Sequence, residues 1–183
     1  MTRPMPDEAA APSGMTAEAT GREAVDPEAG LGDVPAMTVH VIPQSHIDLL
    51  WYWAGDETVR MVLHTFRGHV EALEADPERT YAQSQPAAYD IVRREDPDLF
   101  ERIRRLVAEG RWEPVGGEWV ECDPALPGPE SLLRQFAAGQ WFYLEHFGRT
   151  ARVGWSPDGF SVLPGSLPQI MRACGLARLV HKR

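Results

Sequence analysis

Residues 37–53 read MTVHVIPQSHIDLLWYW. The first half, MTVHVIPQ, reads as a buried strand. The second half sets His46 and Asp48 one residue apart where that strand runs out, with Trp51, Tyr52 and Trp53 close behind. Ligand-type side chains at the end of a strand are what a parallel α/β fold places at its functional edge. The fold therefore turns on whether the rest of the chain alternates strand and helix.

It does. DETVRMVLHTFRGHVEALEAD has helical periodicity, with Val59, Val62, Leu63, Phe66, Val70 and Leu73 on one side. TYAQSQ is a short strand signal. PAAYDIVRRE and PDLFERIRRLVAEG each begin a helix with proline, and Gly110 stops the second. RWEPVGGEWVE is extended, GPESLLRQFAAGQWFYLEHFG is a long amphipathic helix, and ARVGWSPD is a strand. LPGSLPQIMRACG is a helix stopped by Gly175, and LARLVHKR starts a last strand. The order β-α-β-α-α-β-α-β-α-β predicts a parallel sheet with helices outside it, as an open sheet or an incomplete barrel. The last strand has no covering helix after it, although parallel sheets are normally covered on both faces. That predicts the front part of a larger domain.

Residues 1–36 are rich in Ala, Pro, Gly and Glu and hold no aromatic residue, a composition that predicts a disordered tail. The whole chain has 183 residues, 43% of them hydrophobic, enough for one domain with a real core. A net charge of −9 argues against nucleic acid as a partner. Cys122 and Cys174 show no metal-type pairing and make no disulfide framework. With no signal-peptide pattern and no run of about 18 apolar residues, the expectation is a cytoplasmic enzyme with no membrane partner.

Asp158, in VGWSPDGF, lies at a second strand end. Together with His46 and Asp48 it offers one imidazole nitrogen and two carboxylates, a set that suits a divalent ion such as zinc, with cobalt or manganese as alternatives. Trp51 and Phe160 each follow a candidate ligand, and aromatic faces beside polar groups suit a sugar ring; core packing is the competing role for at least one of the three aromatics at 51–53. Glu118, Glu121 and Asp123, in GGEWVECD, follow another strand and are placed either in the same pocket or in a solvated loop. His64 and His69 read as exposed on a helix surface, His40 as a core or strand-end histidine, and His146 as a partly charged imidazole at a helix C-terminus.

SHIDLLWYW resembles the first metal-binding motif of glycoside hydrolase family 38, the α-mannosidases. The likeness continues in order through AQSQPAAYD, PDLFERIRRLVAEGRWEPVGGEWVECD, PGPESLLRQFAAGQWFY, VGWSPDGF and LPQIMRACGL, covering nearly everything from about residue 38 onward. It implies an incomplete seven-stranded α/β barrel, with residues 37–183 as the N-terminal part of a catalytic domain truncated at its C-terminus. It implies a retaining, zinc-assisted hydrolase of terminal α-linked mannose acting on α-mannoside oligosaccharides. His46 and Asp48 then match zinc ligands, and Asp158 matches the nucleophile, itself also a ligand. Trp51 matches the aromatic residue under the bound mannose, Phe160 lies on the same pocket wall, and Arg183 falls near a basic position close to the sugar; Asp123 stays a substrate-binding candidate on its placement after the strand alone. The family's fourth ligand, a histidine, and its acid/base aspartate have no matching positions, which implies a fragment whose partner is a missing C-terminal segment or a second copy of itself. Two other readings stay open: an inactive remnant or split-enzyme half, and a metal-dependent carbohydrate deacetylase, in which water attacks and no protein nucleophile is needed.

Overall fold

The computed structural model describes residues 38–159 and 163–182. The predicted tail at 1–36, together with Phe160, Ser161 and Arg183, lies outside the described residues. The elements run α1 (Gly55–Ala75), β1 (Tyr81–Gln83), α2 (Pro86–Glu95), α3 (Pro97–Ala108), β2 (Trp112–Pro114), α4 (Pro129–Phe147), β3 (Val153–Ser156), α5 (Leu167–Ala173) and β4 (Arg178–His181). Each helix lies where periodicity and its proline or glycine boundaries put it. Proline sits in the first turn of α2, α3, α4 and α5, where its missing N–H costs nothing. Asp96 caps α3 by accepting from the Leu99 amide at 3.0 Å. Among the described residues no helix is long and apolar enough to cross a membrane.

The strands are parallel, as the alternation predicted, but short. β1 pairs with β2 and β3 with β4, and one hydrogen bond, Gly116 N–H to Val153 O at 2.8 Å, joins the two pairs. The expected first strand is reduced to a single parallel bridge, Gln44 to Ala82. Its register explains why. It sets Val41 and Ile42 opposite Arg79 and Thr80, which belong to the turn after α1 and not to a strand. Val41 and Ile42 are 80% and 62% exposed instead of buried, with Ile42 on an open groove, and His40 is exposed, not a core residue.

The core lies between the first strand pair and helices α1 to α4. Phe66, Tyr89, Trp112 and Tyr143 are fully buried and meet edge to face or tilted, with ring centroids 5.2–6.3 Å apart. Their polar atoms are satisfied in series: Trp112 Nε1 donates to Tyr89 Oη at 2.8 Å, and Tyr89 Oη donates to Gln83 O at 2.9 Å. Beyond β2 the chain turns through Gly116 and Gly117, both at positive φ, so that α4 can lie against it. The approach is close: a Cβ on Gly139 of α4 would fall 2.1 Å from the Gly117 carbonyl oxygen. On the concave side, an open groove of ≈ 550 Å³ is lined by Ala82, Val115, Val153, Trp155 and Val180 among others.

Candidate metal centre

The residues at the carboxyl ends of successive strands meet at one place. After the Gln44 bridge the chain alternates, with Ile47 and Leu49 buried and His46 and Asp48 outward. A spacing of two therefore puts both candidate ligands on one side, and the buried pair anchors them. Thr58, in the first turns of α1, holds the segment by donating its hydroxyl to Leu49 O. Asp158 arrives from the end of β3.

His46 Nε2 lies 3.3 Å from Asp48 Oδ1 and 3.6 Å from Asp158 Oδ2. All three ligand atoms fall within 4.8 Å of one another. Bonds of about 2.1 Å at tetrahedral angles put neighbouring ligand atoms about 3.4 Å apart, so these two separations suit a common ion. One nitrogen and two oxygens also suit zinc by donor type. Side-chain exposures of 27%, 44% and 36% for His46, Asp48 and Asp158 leave the centre open to a ligand.

Behind the three stands Glu121, from the loop after β2, whose side chain is 11% exposed. Its Oε2 is 2.6 Å from His46 Nδ1, and its Oε1 accepts from Ser84 Oγ. The hydrogen bond to Glu121 holds the His46 pKa above its ordinary value; burial opposes it, and the charges of Glu121 and Asp48 add to it. Glu118, half-buried on the same loop, is pushed up to about 8 by burial first and by the Glu121 charge second, with the Cys122 amide opposing.

The segment Gln83-Ser84-Gln85 at the end of β1 is the hub that holds these loops. Gln83 accepts from Tyr81 Oη at 2.5 Å and donates to Ser45 O at 3.1 Å. Gln85 donates to Ile47 O at 2.8 Å and accepts from the Glu121 amide at 3.3 Å. Both glutamines are buried. Sequence reading passed over them, although the signal is present: QS follows apolar residues at both 44–45 and 83–84, and polar side chains that continue a buried strand need partners. His69 is also misplaced by sequence reading. It stacks on Tyr81 with centroids 3.9 Å apart and is hydrogen-bonded to Ser45 Oγ at 2.9 Å, and burial lowers its pKa. The apolar arc of α1 is wide enough to carry it inward, while His64 is exposed as expected. His146 packs on Phe142 at 4.4 Å, and burial, its largest influence, lowers its pKa, so it favours the neutral ring over the partly charged one expected.

The remaining candidates divide. Trp51 and Tyr52 are 63% and 90% exposed and meet edge to face at 4.9 Å. Trp53 is half-buried, with an indole N–H that has no partner among the described residues. Asp123 accepts from the Ala125 amide at 3.0 Å and so shapes its own turn. Cys122 and Cys174 are free thiols.

Residues 36–183 match the model of the glycosyl hydrolases family 38 N-terminal domain. Alpha-mannosidase 2C1 of Homo sapiens is 38% identical over 146 residues, which take in 80% of this chain and 14% of that protein. The alpha-mannosidase of Saccharomyces cerevisiae is 31% identical over 146 residues, 79% of this chain and 13% of that protein. The chain thus spans about one seventh of the length of these relatives. An alpha-mannosidase from Enterococcus faecalis V583 shares the fold, with a TM-score of 0.70 at 24% identity over 78% of this chain and 16% of that one. The strand-end cluster thus sits in an α/β fold shared with a solved alpha-mannosidase, and on the family match and these identities the chain belongs to glycosyl hydrolase family 38, in its N-terminal domain.

Proposed function

We propose that this chain carries the metal site and nucleophile of a retaining α-mannosidase. The observation that supports it is the convergence of His46, Asp48 and Asp158 from separate strand ends at ligand-to-ligand spacings. His46, Asp48 and Asp158 would hold a zinc ion, or another divalent ion such as cobalt, which supplies positive charge to grip sugar hydroxyls. A carboxylate of Asp158 attacks the anomeric carbon as the bond to the leaving oxygen breaks, and the sugar is held as an ester on Asp158. A general acid, the acid/base aspartate that the family resemblance implies, protonates the leaving oxygen. Water then attacks the anomeric carbon from the opposite face, the ester breaks, and two inversions give net retention. Trp51, 63% exposed, would offer its face to the apolar side of the ring, and Asp123 keeps its reading as a substrate-binding candidate. Phe160 and Arg183 fill the roles the family resemblance gives them. The concave groove reads as the inner wall of the incomplete seven-stranded barrel that the resemblance implies. A cytoplasmic setting accords with the absence, among the described residues, of a helix fit to cross a membrane.

The test traps the nucleophile. A fluorinated α-mannosyl fluoride carries a leaving group that departs with little protonation, so the zinc-loaded chain is expected to gain one mannosyl ester, mapped by peptide mass spectrometry to Asp158. Asp158→Asn is expected to gain none. An adduct on another carboxylate, or the same labelling in Asp158→Asn, overturns the assignment. No adduct in either protein favours the deacetylase reading, in which water attacks.

A further inference from the structure

We propose that Glu121 is the positioning residue of the metal centre, selecting the tautomer in which His46 presents the lone pair of Nε2. This rests on the reading of His46, Asp48 and Asp158 as ligands. Glu121 could instead be a ligand or a sugar contact, but its geometry assigns it otherwise. Both of its oxygens are occupied: Oε1 by the Ser84 hydroxyl and Oε2 by His46 Nδ1 at 2.6 Å. An ionised carboxylate only accepts. The hydrogen between Glu121 and His46 therefore sits on Nδ1, and Nε2, which donates to Asp48 Oδ1 at 3.3 Å on the side where Asp158 Oδ2 also lies, is the nitrogen that would give up its hydrogen to a metal. A carboxylate behind a ligating imidazole fixes ring orientation and makes the nitrogen a better donor.

The carboxylate is itself held from two directions. The Glu121 amide donates to Gln85 Oε1, and Gln85 Nε2 donates to Ile47 O, next to His46. Glu121 and the ligand-bearing segment are thus tied through Gln85 as well as directly, and they move together. Ser84 adds a hydrogen bond, so Glu121 is fixed before any ion arrives.

Glu121→Gln keeps the shape but must aim an N–H at either Ser84 or His46. Removing such a partner typically weakens metal binding about 10- to 100-fold. The full chain is titrated with Zn²⁺ against a chromophoric chelator, with circular dichroism to verify the fold. Glu121→Gln and Glu121→Ala are expected to bind zinc about 10- to 100-fold more weakly than wild type. Glu121→Asp, which restores the charge at shorter reach, is expected to fall between Glu121→Ala and wild type. In the zinc-loaded wild type, histidine ring ¹⁵N shifts are expected to show His46 protonated at Nδ1 and metal-bound at Nε2. Variants that bind zinc within twofold of wild type overturn the proposal and leave the metal site standing. So does a His46 bound through Nδ1, which is read on the wild type and needs no variant to fold. Absence of zinc binding by the wild type overturns the metal centre itself, and Glu121's role with it.

Discussion

The two strand pairs do different work at the same edge of the molecule. β1 is buried along its whole length, and β2 sets Trp112 and Pro114 inside. β3 is mostly half-buried, and β4 is mostly exposed, with Val180 43% accessible. The first pair is sealed by four helices and an aromatic core, and its loops carry Ser84, Gln85 and Glu121, each fixed by hydrogen bonds. The second pair has α5 packed on it and delivers Asp158, whose described ion-pair partner is His46. The difference teaches that one half holds the geometry while the other brings Asp158 to it. A metal between His46 and Asp158 would fasten the looser half to the firmer one.

The largest effect is expected where the firm half is emptied. Trp112→Ala removes a fully buried indole and the donor to Tyr89, and is expected to cost about 3–5 kcal/mol in denaturant unfolding. A loss below about 1 kcal/mol would break the comparison by showing that the core does not lie there. Zinc comes next. At a free concentration of about 100 times Kd it is expected to stabilise the chain by about 2.7 kcal/mol, read as a rise in Tm. Amide exchange sharpens the point: chelation is expected to deprotect residues 153–158 more than residues 81–85. Equal deprotection would mean that the two halves are equally firm.

Two glycines give a paired test of smaller size. Gly139→Ala drives a methyl to 2.1 Å from a backbone oxygen, whereas Gly154→Ala meets the tip of Met171 at 2.6 Å. Backbone cannot step aside as a methionine can, so Gly139→Ala is expected to cost about 1–3 kcal/mol or more, and Gly154→Ala below about 1 kcal/mol. The reverse order in thermal melts would refute the contrast. The last effect is read against pH and belongs to Glu118. Its folded pKa of about 8 exceeds the ordinary 4.5. Its contribution to stability is complete below pH 4.5 and is lost as pH rises to about 8, where the folded state must also ionise a buried acid. Glu118→Gln removes that loss. Its stability relative to wild type is expected to improve by about 1.4 kcal/mol per pH unit, several kcal/mol between pH 4.5 and pH 8, and a difference independent of pH would place the Glu118 carboxyl in water.

The local signals were legible because local rules governed them. α1 follows its apolar stripe, and α3 runs from Pro97 to just short of Gly110 because a cap and a breaker bound it. His46, Asp48 and Asp158 converge because parallel strands share a carboxyl edge. What escaped the sequence depended on register and partners. An alternating apolar run at 37–44 says strand, but only the Gln44–Ala82 bridge reveals that a turn, not a strand, stands opposite Val41. Gln83 and Gln85 look like polar loop residues until the carbonyls of Ser45 and Ile47 are known to sit within reach. His69 reads as surface until Tyr81 is found beneath it.

Gln85 lies at φ 61°, ψ 86°, and among the described residues it is the one non-glycine with positive φ. Such a conformation costs on the order of 1–3 kcal/mol. Glycine would relieve that cost. It would also delete the amide that joins Ile47 to Glu121. Position 85 is thus a point of local frustration in an otherwise consistent sequence.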